Sequence, residues 1–457
     1  MIRMPMSAVV ALSICTLSAM APADDWSHWR GPDGTGMAPG SSPPASLDAS
    51  SLRWKVAIPG DGHASPIIMG DRIYVMTAIE TDRVDEAAQQ AADEAEKAAE
   101  QAGGGEGRGR GRGGRGGGFG ITKPVNIYEF RVMALDRADG SVVWNTLVKA
   151  ERPHEGKHST GSFAGGSPVT DGTHLYTFFG SRGIYCLDMD GNVQWGKDLG
   201  DQQTRRSFGE GATPAVQGNT LVVPWDHEGD SFVAALDKRT GAELWRRDRD
   251  EPTAWTTPVI VEVNGRQQAI LGGTNASIGY DIETGDEIWR CGGMTTNMIP
   301  TPIVRDGVAY LMSGFRGAAL QAIKLADARG DITGTPVVTW SVDRGTSYVP
   351  SALLSGDRLY FLRGNNAILS CHSATTGEAL FSGERLEMGN VYASPVGGGG
   401  KLYICDREGM IAVIEDGPTL KVLATNELGE GIDATPAIVG DAIYVRGSDH
   451  LFCFGAK

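Results

Sequence analysis

The chain is expected to be all-β and to form a single eight-bladed β-propeller whose N-terminal strand completes the last blade. Three observations predict this: a strand-start signature that recurs eight times, a four-strand pattern after each start, and a strand missing from the last repeat but present ahead of the first. The starts are Ser65-Pro66, Ser167-Pro168, Thr213-Pro214, Thr257-Pro258, Thr301-Pro302, Val349-Pro350, Ser394-Pro395 and Thr435-Pro436. After the first interval the prolines return every 41 to 48 residues. Such a period means stacked units, and several short strands per unit point to blades. Without the repeat, a length of 457 residues would suggest two or three domains.

In chain order, Arg3, the apolar stretch Ala8 to Met20 and the small residues of Ala21-Pro22-Ala23 read as an export signal over residues 1–23. No later run reaches the roughly 20 apolar residues of a membrane-spanning helix, so a periplasmic or secreted protein is expected. Residues 24–51 form an N-terminal extension, and 52–457 the propeller. Each repeat opens with its start and a few apolar residues. A Gly/Asp/Asn turn follows, such as Gly70-Asp71 or Asp306-Gly307, whose residues tolerate the positive φ of tight hairpins. The second strand usually carries Tyr, as in Ile73-Tyr74-Val75. The third ends on a small residue two places before an often acidic one, and the fourth reaches Trp144, Trp195, Trp245, Trp289 or Trp340. These tryptophans, with Trp54, are expected to anchor blade to blade. The last repeat stops at Cys453-Phe454-Gly455 without a fourth strand, and Leu52 to Val56 supplies one.

An insertion from about Thr81 to Pro124 interrupts the first blade. Its Ala/Glu/Gln-rich half, Asp85 to Ala102, is expected to be a solvated helix. The Gly/Arg-rich half, Gly103 to Gly120, cannot bury apolar surface and is expected to be disordered. The cysteines Cys186, Cys371 and Cys453 take the small-residue position of the third strand and read as buried small hydrophobes.

The pattern A-x-D-x-x-T-G-x-x-x-W, best matched by Ala235, Asp237, Thr240, Gly241 and Trp245, resembles the PQQ repeat of quinoprotein dehydrogenases and BamB-like proteins. Trp26-Ser27-His28-Trp29-Arg30-Gly31-Pro32 and the run Trp225 to Phe232 are similar to a family of secreted bacterial PQQ-like propellers. The resemblance spans Leu52 to Phe454 and implies fold more than chemistry. It leaves two functions open. One is an exported, non-catalytic binding or scaffold propeller. The other is a PQQ-dependent dehydrogenase, with a quinone and calcium in the channel and a carboxylate base. Glu210, Asn297, Asn366, Asn390 and Asp433 would be the oxygen donors for the second. The resemblance also implies adjacent cysteines at such a cofactor, and this chain has no Cys-Cys pair.

The formal charge of -15 argues against nucleic acid, which needs a basic surface. Links from second to third strand nevertheless repeat a cation at Arg182, Arg316, Arg363, Arg407 and Arg446, and Arg205 and Arg206 join them on the same face. Unpaired, these would favour an anionic small molecule or polymer, or a periplasmic protein partner. Trp225 and Trp255 break the tryptophan period and are expected in loops at this mouth. His154, Glu155 and His158 match H-E-x-x-H, but Pro153 and Gly156 place them in a loop rather than on the helix a zinc protease needs. With Asp226, His227 and Glu228 of the adjoining blade they would offer a mixed metal site if the loops converge.

Overall fold

In the computed structural model, which describes residues 25–102 and 121–456 (side chains of 99–102 excepted), the eight repeats form eight antiparallel blades arranged as a propeller. The expected export signal and the Gly/Arg-rich half of the insertion lie outside the described residues. Blade three illustrates the unit: Ala215–Gln217, Thr220–Trp225, Phe232–Asp237 and Glu243–Asp248 pair in sequence order. Side chains alternate across each strand, and both faces are buried because each blade packs between two neighbours. One such layer holds Tyr176 and Phe178 of blade two against Leu221 and Val223 of blade three. The last blade is closed as expected: Leu52–Ala57 pairs antiparallel with His450–Gly455.

The T-G-x-x-x-W pattern has a steric cause. The indoles of Trp54, Trp144, Trp195, Trp245 and Trp340 donate to the carbonyls of Arg137, Met189, Lys238, Ile282 and Ala374 in the following blade. Each ring lies on the turn glycine there, Gly140, Gly191, Gly241, Gly285 or Gly377, where a Cβ would come within 2.6–2.7 Å. All five glycines have positive φ. Trp289 departs from the expected anchoring. Its indole donates to Gln268 Oε1 of its own blade at 2.7 Å. Blade five has no T-G turn to receive it, carrying instead the short 3-10 turn Leu325–Asp327. The chain after that turn adds Gly330–Asp331 as a parallel fifth strand on the outer edge of blade four.

Two alignments are corrected. In blade six the start is Ser351-Ala352, not Val349-Pro350: Ser351 accepts the N–H of Thr301 at 2.9 Å, the role that Ser394 plays one blade on. Pro350 misled because it sits two residues ahead of the usual proline position. In blade one the paired strands run on past Thr81, with Glu80 opposite Tyr128 and Val84 opposite Asn126. The helix Glu86–Ala102 crowns this extended hairpin. Among the described residues no helix is long and apolar enough to cross a membrane.

Candidate functional site

The eight starts close into a belt around the channel. The N–H of Ser65 donates to Ser167 Oγ, that of Ser167 to Thr213 Oγ1, and the pattern continues from Thr257 through Thr301, Ser351, Ser394 and Thr435 back to Ser65. Among the described residues only the step from Thr213 to Thr257 lacks this bond, and there Thr257 Oγ1 accepts the indole N–H of Trp29 at 3.2 Å. Each of the other seven hydroxyls uses a lone pair in the belt and keeps its proton for another acceptor.

Trp29 seals the channel from below. The N-terminal extension enters by pairing Trp26 with Ile68 of blade one and crosses under the ring. Buried Arg30 then donates to the carbonyls of Ala352 and Pro395 in blades six and seven. It carries no carboxylate partner, and burial pushes its guanidinium down to about 9. The extension continues along blades six, seven and eight through Thr35, Met37 and Ser42 before supplying the closing strand.

Above the belt the channel opens into a chamber of about 460 Å³, within the size range of small-molecule sites. The residue two places before each belt hydroxyl faces it: His63, Gly165, Gly211, Trp255, Ile299, Val349, Tyr392 and Asp433. The two glycines leave one side open, and His158 and Phe208 fill it, edge to face at 5.3 Å. Tyr348 joins across the ring, stacked on Phe315 at 4.7 Å. The Trp255 indole donates to Gly209 O at 2.8 Å, which fixes the ring.

Among the described residues no lysine or arginine lines this chamber, and its carboxylates are engaged. Asp433 accepts both arms of Arg407, at 2.6 and 3.2 Å. Burial raises the Glu210 carboxyl against the hydrogen bonds from Ser181. Burial also lowers the His63 imidazole, against the pull of Asp433 and Asp61. The walls are therefore polar but carry little net charge.

Several sequence expectations are corrected here. Arg182 is buried and donates to Glu151 and Asp201. Arg446 is buried between blades eight and one, donating to Met76 O at 2.6 Å and Ala64 O at 3.2 Å. Arg407 belongs to Asp433. The repeated cation therefore does not form a ring of unpaired charge, because ring closure brings carboxylates and carbonyls from neighbouring blades that the sequence order does not reveal. Arg316 and Arg363 are exposed at the rim, Arg316 over Phe315 at 5.4 Å. Arg205 and Arg206 sit in the short turn Arg205–Ser207 between blades two and three. Trp225 is not in a loop: it ends the strand Thr220–Trp225, buried and stacked on Phe232 at 5.5 Å.

Of the proposed metal ligands, His154 and Glu155 come together, with Glu210 as a third, whereas His158, Asp226, His227 and Glu228 stand apart from them. His154 Nε2 lies 2.6 Å from Gln202 O and its Nδ1 3.3 Å from the Arg182 guanidinium, so both ring nitrogens are engaged. Glu155 accepts from Thr204, while His158 turns to the chamber. Asp226 is locked in a buried pair with Arg249 at 2.7 Å. His227 Nδ1 accepts the N–H of Gln203, and Glu228 accepts from Thr253. Glu210 does come close to His154 and Glu155, but Arg182 already supplies the cation beside them.

PQQ is a planar tricarboxylate, and the chamber does not fit it. Among the described residues it is lined by no lysine or arginine, the Arg407 guanidinium over Tyr392 is already taken by Asp433, and the chamber already holds Glu210 and Asp433. Of the other oxygen donors, Asn297 is buried against the Tyr348 hydroxyl, and Asn366 pairs with Asn390 in blade six. The five described cysteines are buried and free, within the blades.

Fold and site define the class: a PQQ-like-repeat propeller with eight blades and a blind chamber opening on one face. The family model described as "Outer membrane protein assembly factor BamB" matches residues 129–378 and 229–457, over half of the chain, and the chain belongs to that family. It is 23% identical over 327 residues to outer membrane protein assembly factor BamB of Yersinia pestis, covering 69% of this chain and 77% of that one. The crystal structure of BamB from Moraxella catarrhalis superposes with a TM-score of 0.53 at 14% identity, over 71% of this chain and 93% of that one. A europium-containing methanol dehydrogenase superposes at 0.62 and 12% identity, over 93% and 90%.

Proposed function

We propose that this chain is an exported, non-catalytic scaffold propeller of the bacterial envelope that works through the open face of its channel. The observation that carries the reading is the blind chamber: the extension closes one end with Trp29, so any guest enters from the other. Membership of the BamB family supports a partner that is itself an envelope protein. The exposed rim residues Arg316 and Arg363, with Arg205 and Arg206 nearby, would meet acidic groups of that partner.

Photocrosslinking in the source organism tests this. A photoreactive residue at position 316 or 363 is expected to capture an envelope protein, while one at position 71 or 218, on the opposite face, is not. Capture from the opposite face alone would reject the reading. So would PQQ-dependent dye reduction by protein reconstituted with PQQ and calcium.

A further inference from the structure

We propose that the blind chamber binds a neutral, polyhydroxylated ligand, one or two sugar rings in size, with Trp255 and Tyr392 as its stacking walls and the Ser/Thr belt as its hydrogen-bonding floor. This rests on the reading that the open face is the working face, and names what enters it. Three features carry it. The walls are aromatic, and an aromatic face suits the C–H face of a pyranose, which is apolar on its flat sides and polar at its rim. The floor is a circle of hydroxyls whose N–H acceptor roles are filled by the belt, so their protons are left to donate to a guest. The lining lacks lysine and arginine, and Asp433 is already neutralised by Arg407.

The cation at these walls, Arg407 over Tyr392 at 4.6 Å, is already paired with Asp433, so an anionic guest finds no free counter-charge, and a purely apolar one would leave the belt hydroxyls without partners. A neutral sugar satisfies both demands.

The test is titration of the folded protein, followed by tryptophan fluorescence and calorimetry. The probes are cellobiose, maltose and N,N′-diacetylchitobiose, with glucuronate, glucosamine and PQQ as charged controls. At least one neutral disaccharide is expected to bind tenfold or more tighter than each charged control and to perturb Trp emission. A soluble neutral glucan run in competition separates a free sugar from a chain end: displacement means that a chain end enters, and no displacement that only the free sugar does. Both outcomes support the site. Trp255→Ala should weaken binding at least tenfold. Because Trp255 also holds Gly209, Tyr392→Ala is the second variant, with Tyr392→Phe expected to retain stacking and most of the affinity. Absence of binding by all neutral probes, or equal binding of glucuronate or PQQ, overturns the proposal. If crosslinking at positions 316 and 363 persists in that case, the scaffold reading stands without it.

Discussion

At the scale of single residues, the costly groups are buried charges, and they were the least legible in the sequence. Asp226 appeared as a loop carboxylate beside His227 and Glu228. Its partner Arg249 lies 23 residues on, brought to 2.7 Å by the return of the fourth strand. Burial favours the protonated form of Asp226, and the guanidinium opposes this. Arg249→Met strands the carboxylate, and denaturant unfolding is expected to show a loss of about 3–5 kcal/mol, typical of a broken buried pair. Asp416 behaves oppositely with pH. Burial resists its ionisation, but hydrogen bonds from Arg358, Ser355 and Tyr360 win and hold the carboxyl below its ordinary 3.8. Its stabilising contribution is therefore full above that ordinary value and disappears as pH falls through the lower folded value. Asp416→Asn should destabilise at neutral pH and approach wild type as pH falls through the lowered folded value, as read by thermal melts from neutral into acid.

At the scale of strands and turns, the sequence was most legible where one residue type has one steric job. The glycine in T-G-x-x-x-W must leave room for the preceding blade's tryptophan, so motif and contact coincide. Gly241 has φ +70° and lies under Trp195; Gly241→Ala is expected to cost about 1–3 kcal/mol from the backbone alone, and more from the displaced ring, measured by the denaturation midpoint. The chamber wall was legible in principle as the column two places before each start. It was missed because those positions hold His63, Gly165, Trp255 and Asp433, which share a place but no chemistry, and because Val349-Pro350 set blade six out of register. Arg182, Arg407 and Arg446 were placed on the right links, but their partners are brought by neighbouring blades and links, whereas Arg316 and Arg363 are exposed as their links suggested. The helical insertion followed from composition. Asp85 N–H already bonds Val125 O at 2.9 Å across its base, so replacing residues 86–124 with a Gly/Ser turn should leave a cooperative transition with an unchanged midpoint in calorimetry.

At the scale of the whole molecule, the belt links seven of the eight blade-to-blade steps by hydrogen bonds running in one sense, interrupted between Thr213 and Thr257. Ser351→Ala is expected to cost about 1–3 kcal/mol, because it leaves the buried Thr301 N–H without its acceptor, and hydrogen exchange at Thr301 should rise with it. Closure itself was legible, since a missing strand at one end and an orphan at the other admit one joining. The path of the extension was not: Trp26 and Trp29 looked like a family signature, and their seats at Ile68 of blade one and Thr257 of blade four, like the run from Arg30 to Ser42 under blades six to eight, follow a course with little regular structure. That path has a temporal consequence. A ribosome makes Arg30 before any blade, yet its seat is built from Ala352 and Pro395, and Leu52–Ala57 must wait for His450–Gly455. Segments made ahead of the blades are thus held until the late blades exist, and no nascent chain that stops short of His450–Gly455 can complete the ring.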